Sequence, residues 1–391
     1  MHPSEEIFCE KSSKLKGRTI VIGITGSVAA SECFSTIREL IRHGARVIPV
    51  LTRSAMDFVT PLSMEYASGN RPVTELTGRT EHIDLMAGSE ADVLLIYPAT
   101  ANTISKIANG IDDTTVTSMA TVALGSGVPI AIAPAMHDAM FRNPAVQENV
   151  ERLRHMGVTF IGPRIVGPRA RVASKEEVIA SVFRILSKDD LSGKRILVIG
   201  GRSEEPIDSM RIVTNRSTGM MAVRIATRAL ERGADVDLWM GGCSVPIPDY
   251  IRTKRFDSVS DLIGMLDGID HDVVIVPAAL ADFTPEHKYE GKVSSDNGFD
   301  LKLEPVPKVL PMICRRCSKV IGFKAESGLS EDELIKRSRA RMQEYGLYAI
   351  VANDIDSAGK TSTSAIIITP ESYRNITGTK ENIADSILDR C

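Results

Sequence analysis

No apolar run in the chain reaches the roughly 18 residues that a membrane span needs. The opening MHPSEEIFCEKSSKLKG has no apolar core of the kind a secretory signal carries. A cytoplasmic protein with a polar N-terminal extension is expected. Basic charge is also scarce: 47 Lys and Arg stand against 50 Asp and Glu, a formal net charge of -3. That balance offers no field for nucleic acid and no attraction to a membrane surface. The six cysteines are scattered, so reduced thiols are expected in place of a disulfide framework. Cys314-Arg315-Arg316-Cys317 is the only CxxC, and without a second pair two thiols on a surface helix are favoured over a metal site. A GxGxxG fingerprint is missing too. The first glycine turn reads Gly23-Ile24-Thr25-Gly26-Ser27-Val28, and the next strand ends at Thr52-Arg53-Ser54 with no acidic residue to take a ribose, which disfavours an NAD-dependent reductase.

What is present is a repeated pattern. KGRTIVIGITG followed by a helix and RHGARVIPVL returns as SGKRILVIGG followed by a helix and ERGADVDLW, with Gly44 and Gly233 as helix stops. Each copy opens an α/β unit, so the fold expected is two Rossmann-like, flavodoxin-type parallel-sheet domains in tandem. The polar stretch from Ser187 to Lys194 marks the boundary, giving residues 1–188 and 189–391. The first glycine turn, with the Ser/Thr-bearing end of the next strand, suits one phosphate group and not a pyrophosphate. Gly26, Ser27, Val28, Thr52 and Ser54 are the candidates.

The run from Ala91 to Pro144 contains two short apolar strands, Val93 to Ile96 and Ile130 to Ala133, each ending in a loop of small residues. Carboxyl ends of parallel strands are where ligands bind, and small residues there let a flat, rigid ligand approach the backbone. Two tight strand-to-helix turns would read the same way one at a time. The pair, after adjacent strands, favours a ligand site at Ala99, Thr100, Asn102 and Met136.

These loops carry a resemblance. Pro98-Ala99-Thr100-Ala101-Asn102-Thr103 is similar to the Pro-Ala-Ser/Thr-Ala-Asn-Thr loop of the flavin-dependent cysteine decarboxylases. Their second loop, Pro-x-Met-Asn-x-x-Met-Trp, is matched by Pro134 to Phe141 with His137 for the asparagine and Phe141 for the tryptophan. The resemblance implies FMN held by the residues named above, with His82, in Thr80-Glu81-His82-Ile83-Asp84-Leu85, as the active-site base. It implies oxidation of a substrate cysteine thiol to a thioaldehyde, which lets carbon dioxide leave. His137 falls at the family's carboxylate anchor, where a protonated imidazole would bind more strongly than an amide. The family's flap cysteine has no counterpart between Gly162 and Arg171, so another acid is expected to protonate the intermediate. His137 is the candidate, and Arg169 and Arg171 would orient the substrate.

The second half resembles the phosphopantothenate–cysteine ligases. Arg211-Ile212-Val213-Thr214-Asn215-Arg216-Ser217-Thr218-Gly219 matches their Arg-x-Ile-Ser/Thr-Asn-x-Ser-Ser/Thr-Gly motif. Ala278 to Phe283, Lys292, Gly322-Phe323-Lys324-Ala325-Glu326 (for Gly-Phe-Ala-Ala-Glu) and Val351 to Asp354 follow in order. Together the halves resemble the bifunctional proteins that make 4'-phosphopantetheine from 4'-phosphopantothenate and cysteine, two steps of coenzyme A synthesis. The resemblance implies CTP as cosubstrate, an acyl-cytidylate intermediate and Mg2+. Catalytic roles fall on Asn215 and Lys292. CTP contacts fall on Ala278, Ala279, Asp282, Lys292, Pro307, Lys308, Val309, Phe323, Arg341 and Tyr345, with Asp282 also toward the metal. Met220 stands for the family's lysine after Gly219, and the two late lysines fall at Arg341 and Tyr345, where tyrosine offers only a hydroxyl. A homo-oligomer is implied, trimeric through the decarboxylase and dimeric through the ligase, with a dodecamer as the combined form. Neither nucleic acid nor membrane is an expected partner. Two other readings stay open, a ligase fused to a catalytically degenerate flavoprotein domain and a non-catalytic flavoprotein.

Overall fold

The strand β1 (Thr19–Ile24, TIVIGI) is buried at every position, as a strand covered on both faces must be. Its alternate side chains feed two different cores. Ile20, Ile22 and Ile24 point to one cluster with Ile37, Leu40, Val178 and Val182, and Val21 points to another with Val116, Met119 and Leu153. That division is the period-2 geometry of a strand between two helical layers. The computed structural model describes residues 2–88, 90–166, 169–294, 298–326, 328–354 and 363–391. The chain divides into two compact units, one through Lys188 and the other from Asp189.

In the first unit β1 pairs in parallel with β2 (Arg46–Leu51) and β3 (Val93–Ala99). Next come β4 (Ile130–Pro134) and β5 (Thr159–Phe160), for a sheet order 2-1-3-4-5. This is the flavodoxin order, whose switch point lies between β1 and β3. The loop expected after Ile96 is shorter in the structure. β3 runs to Ala99, which pairs with Pro134 across a register shift, and helix Ala101–Ala108 follows with Thr100 alone between them. Thr100 makes this possible, because its hydroxyl takes the Thr103 amide at 3.3 Å and so starts the helix at once. The N-terminal extension is tied down: Cys9 and Lys11 amides donate to the Ile41 and Arg42 carbonyls, and Leu15 is buried.

The second unit has strands β6 (Arg195–Gly200), β7 (Asp235–Met240), β8 (Arg252–Arg255), β9 (Val273–Val276), β10 (Val320–Glu326) and β11 (Ala349–Asp354), all parallel. Two antiparallel strands, β12 (Thr363–Ile368) and β13 (Tyr373–Gly378), extend the edge. The order is 8-7-6-9-10-11-12-13, so this sheet switches between β6 and β9. Both units are therefore parallel α/β sheets, the first with the flavodoxin order and the second with the dinucleotide-type order plus a hairpin. Cys314 ends helix Val309–Cys314, while Cys317 is buried beyond it. Among the described residues no helix is long and apolar enough to cross a membrane.

Candidate active site

At the first switch point Thr25, wholly buried, joins the two strand ends. Its hydroxyl donates to the Pro98 carbonyl at 2.7 Å and accepts the Thr100 amide at 3.1 Å. The Ala135 amide donates to the Ala99 carbonyl at 2.8 Å and brings the β4 loop alongside. Gly26 lies against the β2 loop so closely that a Cβ there would sit 2.6 Å from Ser54 Oγ and 2.7 Å from Ser54 Cβ. Thr52 Oγ1 accepts the Ala55 amide at 3.2 Å and lies 3.2 Å from Ser54 Oγ. Ser27 caps a short 3-10 helix, Val28–Glu32, by accepting the Ala29 amide at 3.4 Å. The α-helix expected at the turn begins only at Cys33, because Ser27 has already taken the capping role six residues earlier. A cradle closed to any side chain at Gly26 and lined by Ser27, Thr52 and Ser54 hydroxyls fits an FMN phosphate. Val28 and Asn102 are exposed, Ala99 is buried and Met136 is half-buried against the apolar layer.

His82 lies in the short helix Glu81–Met86. The preceding residue pair is locked, since the Glu81 carboxylate takes the hydroxyl and the amide of Thr77. Those bonds hold its pKa down at about 2. His82 is half-buried, and its Nδ1 is buried with no hydrogen-bond partner. A bare ring nitrogen away from water costs free energy until something fills it. His137 is exposed at the start of helix Asp138–Phe141, and its Nδ1 accepts the Ala139 amide at 3.2 Å. To accept, Nδ1 must carry no proton, so the neutral ring holds its proton on Nε2. An asparagine would cap this helix in the same way and keep its amide protons free. The ring therefore reproduces the asparagine's hydrogen-bonding pattern. Among the described residues neither histidine hydrogen-bonds to the Thr25, Ser54 or Thr100 loops. The segment after β5 forms a hairpin, Arg164–Val166 with Arg169–Arg171, but the side chains of Arg169 and Arg171 lie outside the described residues.

The second switch point is built from backbone and one buried serine. Gly201, at φ +79, packs so tightly that a Cβ would lie 2.9 Å from the Gly242 carbonyl oxygen. The Ala279 amide donates to the Gly201 carbonyl at 2.8 Å, and the Ala281 amide donates to Ser203 Oγ at 2.8 Å. Asn215 reaches into this crevice, its amide nitrogen donating to the Ala279 carbonyl at 3.2 Å and the Leu280 carbonyl at 2.9 Å. Thr214 anchors the approach by donating to the Ser203 carbonyl at 2.7 Å. Of the expected CTP residues, Asp282 and Lys308 are brought together as an ion pair at 2.5 Å. The Val306 amide donates to the Asp282 carbonyl at 3.1 Å and sets Pro307 and Val309 beside them.

Lys292 is exposed, but the backbone on both sides of it is pinned. The Ser209 amide donates to the Gly291 carbonyl at 3.1 Å, the Val293 amide to Asp208 Oδ2 at 3.1 Å, and Arg211 to the Val293 carbonyl at 3.0 Å. Amides of Met210, Val293 and Arg211, with the Arg211 guanidinium, hold Asp208 at a pKa of about 2. Phe323 is half-buried on β10, and the Arg341 guanidinium lies 5.0 Å from the Tyr345 ring centre. No hydrogen bond or ion pair among the described residues links Lys292, Phe323, Arg341 or Tyr345 to the Asn215 or Asp282 groups. Nor do three His, Cys, Asp or Glu side chains gather as a metal cluster among those residues. A single carboxylate suits Mg2+ that arrives on phosphate oxygens.

The Flavoprotein family matches residues 9–187, and the DNA/pantothenate metabolism flavoprotein C-terminal domain matches residues 191–391. The Coenzyme A biosynthesis bifunctional protein CoaBC of Thermococcus kodakarensis is 42% identical over 397 residues, covering 100% of this chain and 98% of its own. The protein of the same name from Methanocaldococcus jannaschii is 36% identical, covering 100% of this chain and 97% of its own. That from Vibrio cholerae is 34% identical, over 88% and 89%. The chain belongs to the coenzyme A biosynthesis bifunctional proteins. It is a bifunctional enzyme of that pathway, a decarboxylase joined to a ligase.

Sequence reasoning passed over Thr25, Ser203 and Asp208. Thr25 stands inside a turn already singled out, Gly23 to Val28, and Ser203 and Asp208 lie just before the Arg211 to Gly219 motif, yet nothing local marks them. Their partners lie 73 to 85 positions away for Thr25 to Pro98 and Thr100, Ser203 to Ala281 and Asp208 to Val293, and only the fold supplies them.

Proposed function

We propose that the C-terminal unit joins cysteine to 4'-phosphopantothenate using CTP, and that the N-terminal unit, holding FMN, decarboxylates the product to 4'-phosphopantetheine. The observation that carries this reading is that each sheet gathers its motif loops at its own switch point. Thr25, Pro98 and Thr100 meet in one, and Ser203, Asn215 and Ala279 in the other. FMN, when bound, supplies the two-electron oxidation of the substrate thiol and its reversal once carbon dioxide has left. Gly26, Ser27, Thr52 and Ser54 hold its phosphate, with Val28, Ala99, Thr100, Asn102 and Met136 around the remainder. The unpaired Nδ1 of His82 takes the thiol proton. His137 offers Nε2–H to the departing carboxylate. It suits the anchor better than the acid, because an imidazolium would give up the Ala139 cap. A histidine that keeps the asparagine's cap supports a working decarboxylase half over a degenerate one.

In the ligase half the substrate carboxylate displaces pyrophosphate from CTP. The cysteine amine then displaces CMP from the acyl group and releases a proton. Lys292 stabilises charge at phosphorus. Asn215 has committed its amide protons to Ala279 and Leu280, so its oxygen is left to accept a hydrogen bond from the amine. Mg2+ would come with the nucleotide and compete with Lys308 for Asp282. Ala278, Ala279, Pro307, Val309, Phe323, Arg341 and Tyr345 complete the nucleotide surface. The setting is cytoplasmic, in a homo-oligomer with trimeric decarboxylase and dimeric ligase contacts.

The test is purified chain with 4'-phosphopantothenate, cysteine, Mg2+ and either CTP or ATP, with products read by mass and the protein by absorbance. A yellow protein that yields CMP, pyrophosphate and 4'-phosphopantetheine is expected. A yellow protein that stops at phosphopantothenoylcysteine would make the first half a degenerate flavoprotein. A colourless one would remove FMN.

A further inference from the structure

Asn215 opens a stretch, Asn215 to Gly219, that is neither helix nor strand and runs from the short strand Ile212–Thr214 to helix Met220–Glu231. With no ladder to pair its backbone, such a stretch is held by whatever polar groups reach it. Thr214 fixes its start through the Ser203 carbonyl at 2.7 Å. Arg202 fixes its middle. The Arg202 Nη1 donates to the Ser217 carbonyl at 3.0 Å, and the Ser217 amide donates to the Asn215 carbonyl at 3.1 Å, so the guanidinium reaches Asn215 through one tight turn.

Arg202 is itself held in place. Its amide donates to the Gly242 carbonyl at 2.9 Å and its carbonyl accepts the Gly242 amide at 2.8 Å, which seats its backbone beside the end of β7. Its Nη2 lies 2.9 Å from Glu204 Oε1, and the arginine side chain is only 24% exposed. Glu204 is pinned in turn, because its amide donates to the Asp257 carbonyl at 2.7 Å and the buried Glu205 beside it accepts the Val259 amide at 2.9 Å. The Glu204 carboxylate lies directly over Gly242, where a Cβ would sit 2.1 Å from its Oε1. One nitrogen of the fork is thus spent on orientation and the other on the turn. A planar guanidinium does both at once, and its charge strengthens the bond to the Ser217 carbonyl.

We propose that Arg202, oriented by Glu204, is a positioning residue of the ligase: it clamps the stretch from Asn215 to Gly219 so that the Asn215 oxygen stays aimed at the cysteine amine while the amide forms. The preceding attack on CTP does not depend on it. The clamp's catalytic part rests on the reading of Asn215 as the acceptor for that amine. A displacement of the turn by about 1 Å would leave the substrates bound and slow the second step alone.

The experiment uses the full chain with 4'-phosphopantothenate, CTP and Mg2+, following pyrophosphate release in a single turnover without cysteine and amide formation in steady state with it. Arg202→Met keeps the stem and loses the donors. It should lower kcat for amide formation by about tenfold, with KM for both substrates within about twofold and the pyrophosphate burst at the natural rate. Arg202→Lys retains the charge and a donor and should fall only about threefold. Glu204→Gln is the second variant if Arg202→Met lowers the thermal midpoint, and should lower kcat about threefold alone and by nothing further when added to Arg202→Met. Hydrogen exchange of the amides from Asn215 to Gly219 should be about tenfold faster in Arg202→Met. A pyrophosphate burst that falls in step with amide formation, an unchanged kcat, or unchanged exchange overturns the proposal. Amide formation by the natural chain decides the ligase reading by itself, and exchange, which needs no turnover, decides the clamp.

Discussion

The Ala139 amide donates to His137 Nδ1 at 3.2 Å, so the ring that stands in for an asparagine does an asparagine's work at the start of a helix. Capping fixes the tautomer, and the tautomer fixes what the other nitrogen can do. A hydrogen-bond donor at Nε2 follows.

His137→Asn should therefore keep both the cap and the carboxylate contact, and complete turnover should fall by no more than about threefold. His137→Ala loses both, and carbon dioxide release should drop by about a hundredfold. The measurement is product mass and flavin absorbance during single turnover. A His137→Asn enzyme that releases carbon dioxide but accumulates the oxidised ene-thiol with its flavin left reduced would restore the acid role.

Gly26→Ala puts a methyl group 2.6 Å from Ser54 Oγ and 3.1 Å from the Ser54 carbonyl oxygen, so the two loops must part. The chain should purify colourless or lose FMN on dialysis. Thr25→Val strands the Thr100 amide and the Pro98 carbonyl together, and should cost about 2 kcal/mol in urea unfolding of the N-terminal unit. Retained yellow colour in Gly26→Ala would place the phosphate elsewhere.

Asn215→Asp turns donors facing the Ala279 and Leu280 carbonyls into a carboxylate they repel, and Lys292→Gln removes the cation at phosphorus. Both should abolish amide formation yet leave carbon dioxide release from supplied phosphopantothenoylcysteine unchanged, because the two centres lie in separate units. His82→Asn should do the opposite. Coupled losses in either direction would tie the two sites together.

Asp208 provides a pH test with a definite sign. Its folded pKa, about 2, is depressed below the ordinary 3.8. Its contribution is thus present above the unfolded value and disappears as pH falls through the folded one. Acid titration of the natural chain between about pH 4 and 2 should steepen the loss of structure relative to Asp208→Asn. At neutral pH the same variant should lower amide formation by about tenfold through a loosened Lys292 loop. Identical acid curves would remove Asp208 as the pin of that loop.

Residues next to one another in the chain determined a good deal alone. Continuous apolar strands such as TIVIGI, with a glycine turn and an amphipathic helix after each, commit the backbone locally to parallel α/β units. Thr100, Ser27 and Thr52 cap whatever begins after them, so the ligand-edge motifs could be read directly from their spacing. What the chain order left open was which distant loops share a strand edge. The two units begin alike, yet one sheet takes the order 2-1-3-4-5 and the other reverses between its first and fourth strands and adds a hairpin. Crossover connections do not state their destination locally. Thr25 therefore acquires its role only when β3 lies beside β1, and Asp208 only when Val293 folds back onto it. Hydrogen bonds and charges act over a few ångströms of space, and tertiary packing alone decides which residues fall within that reach.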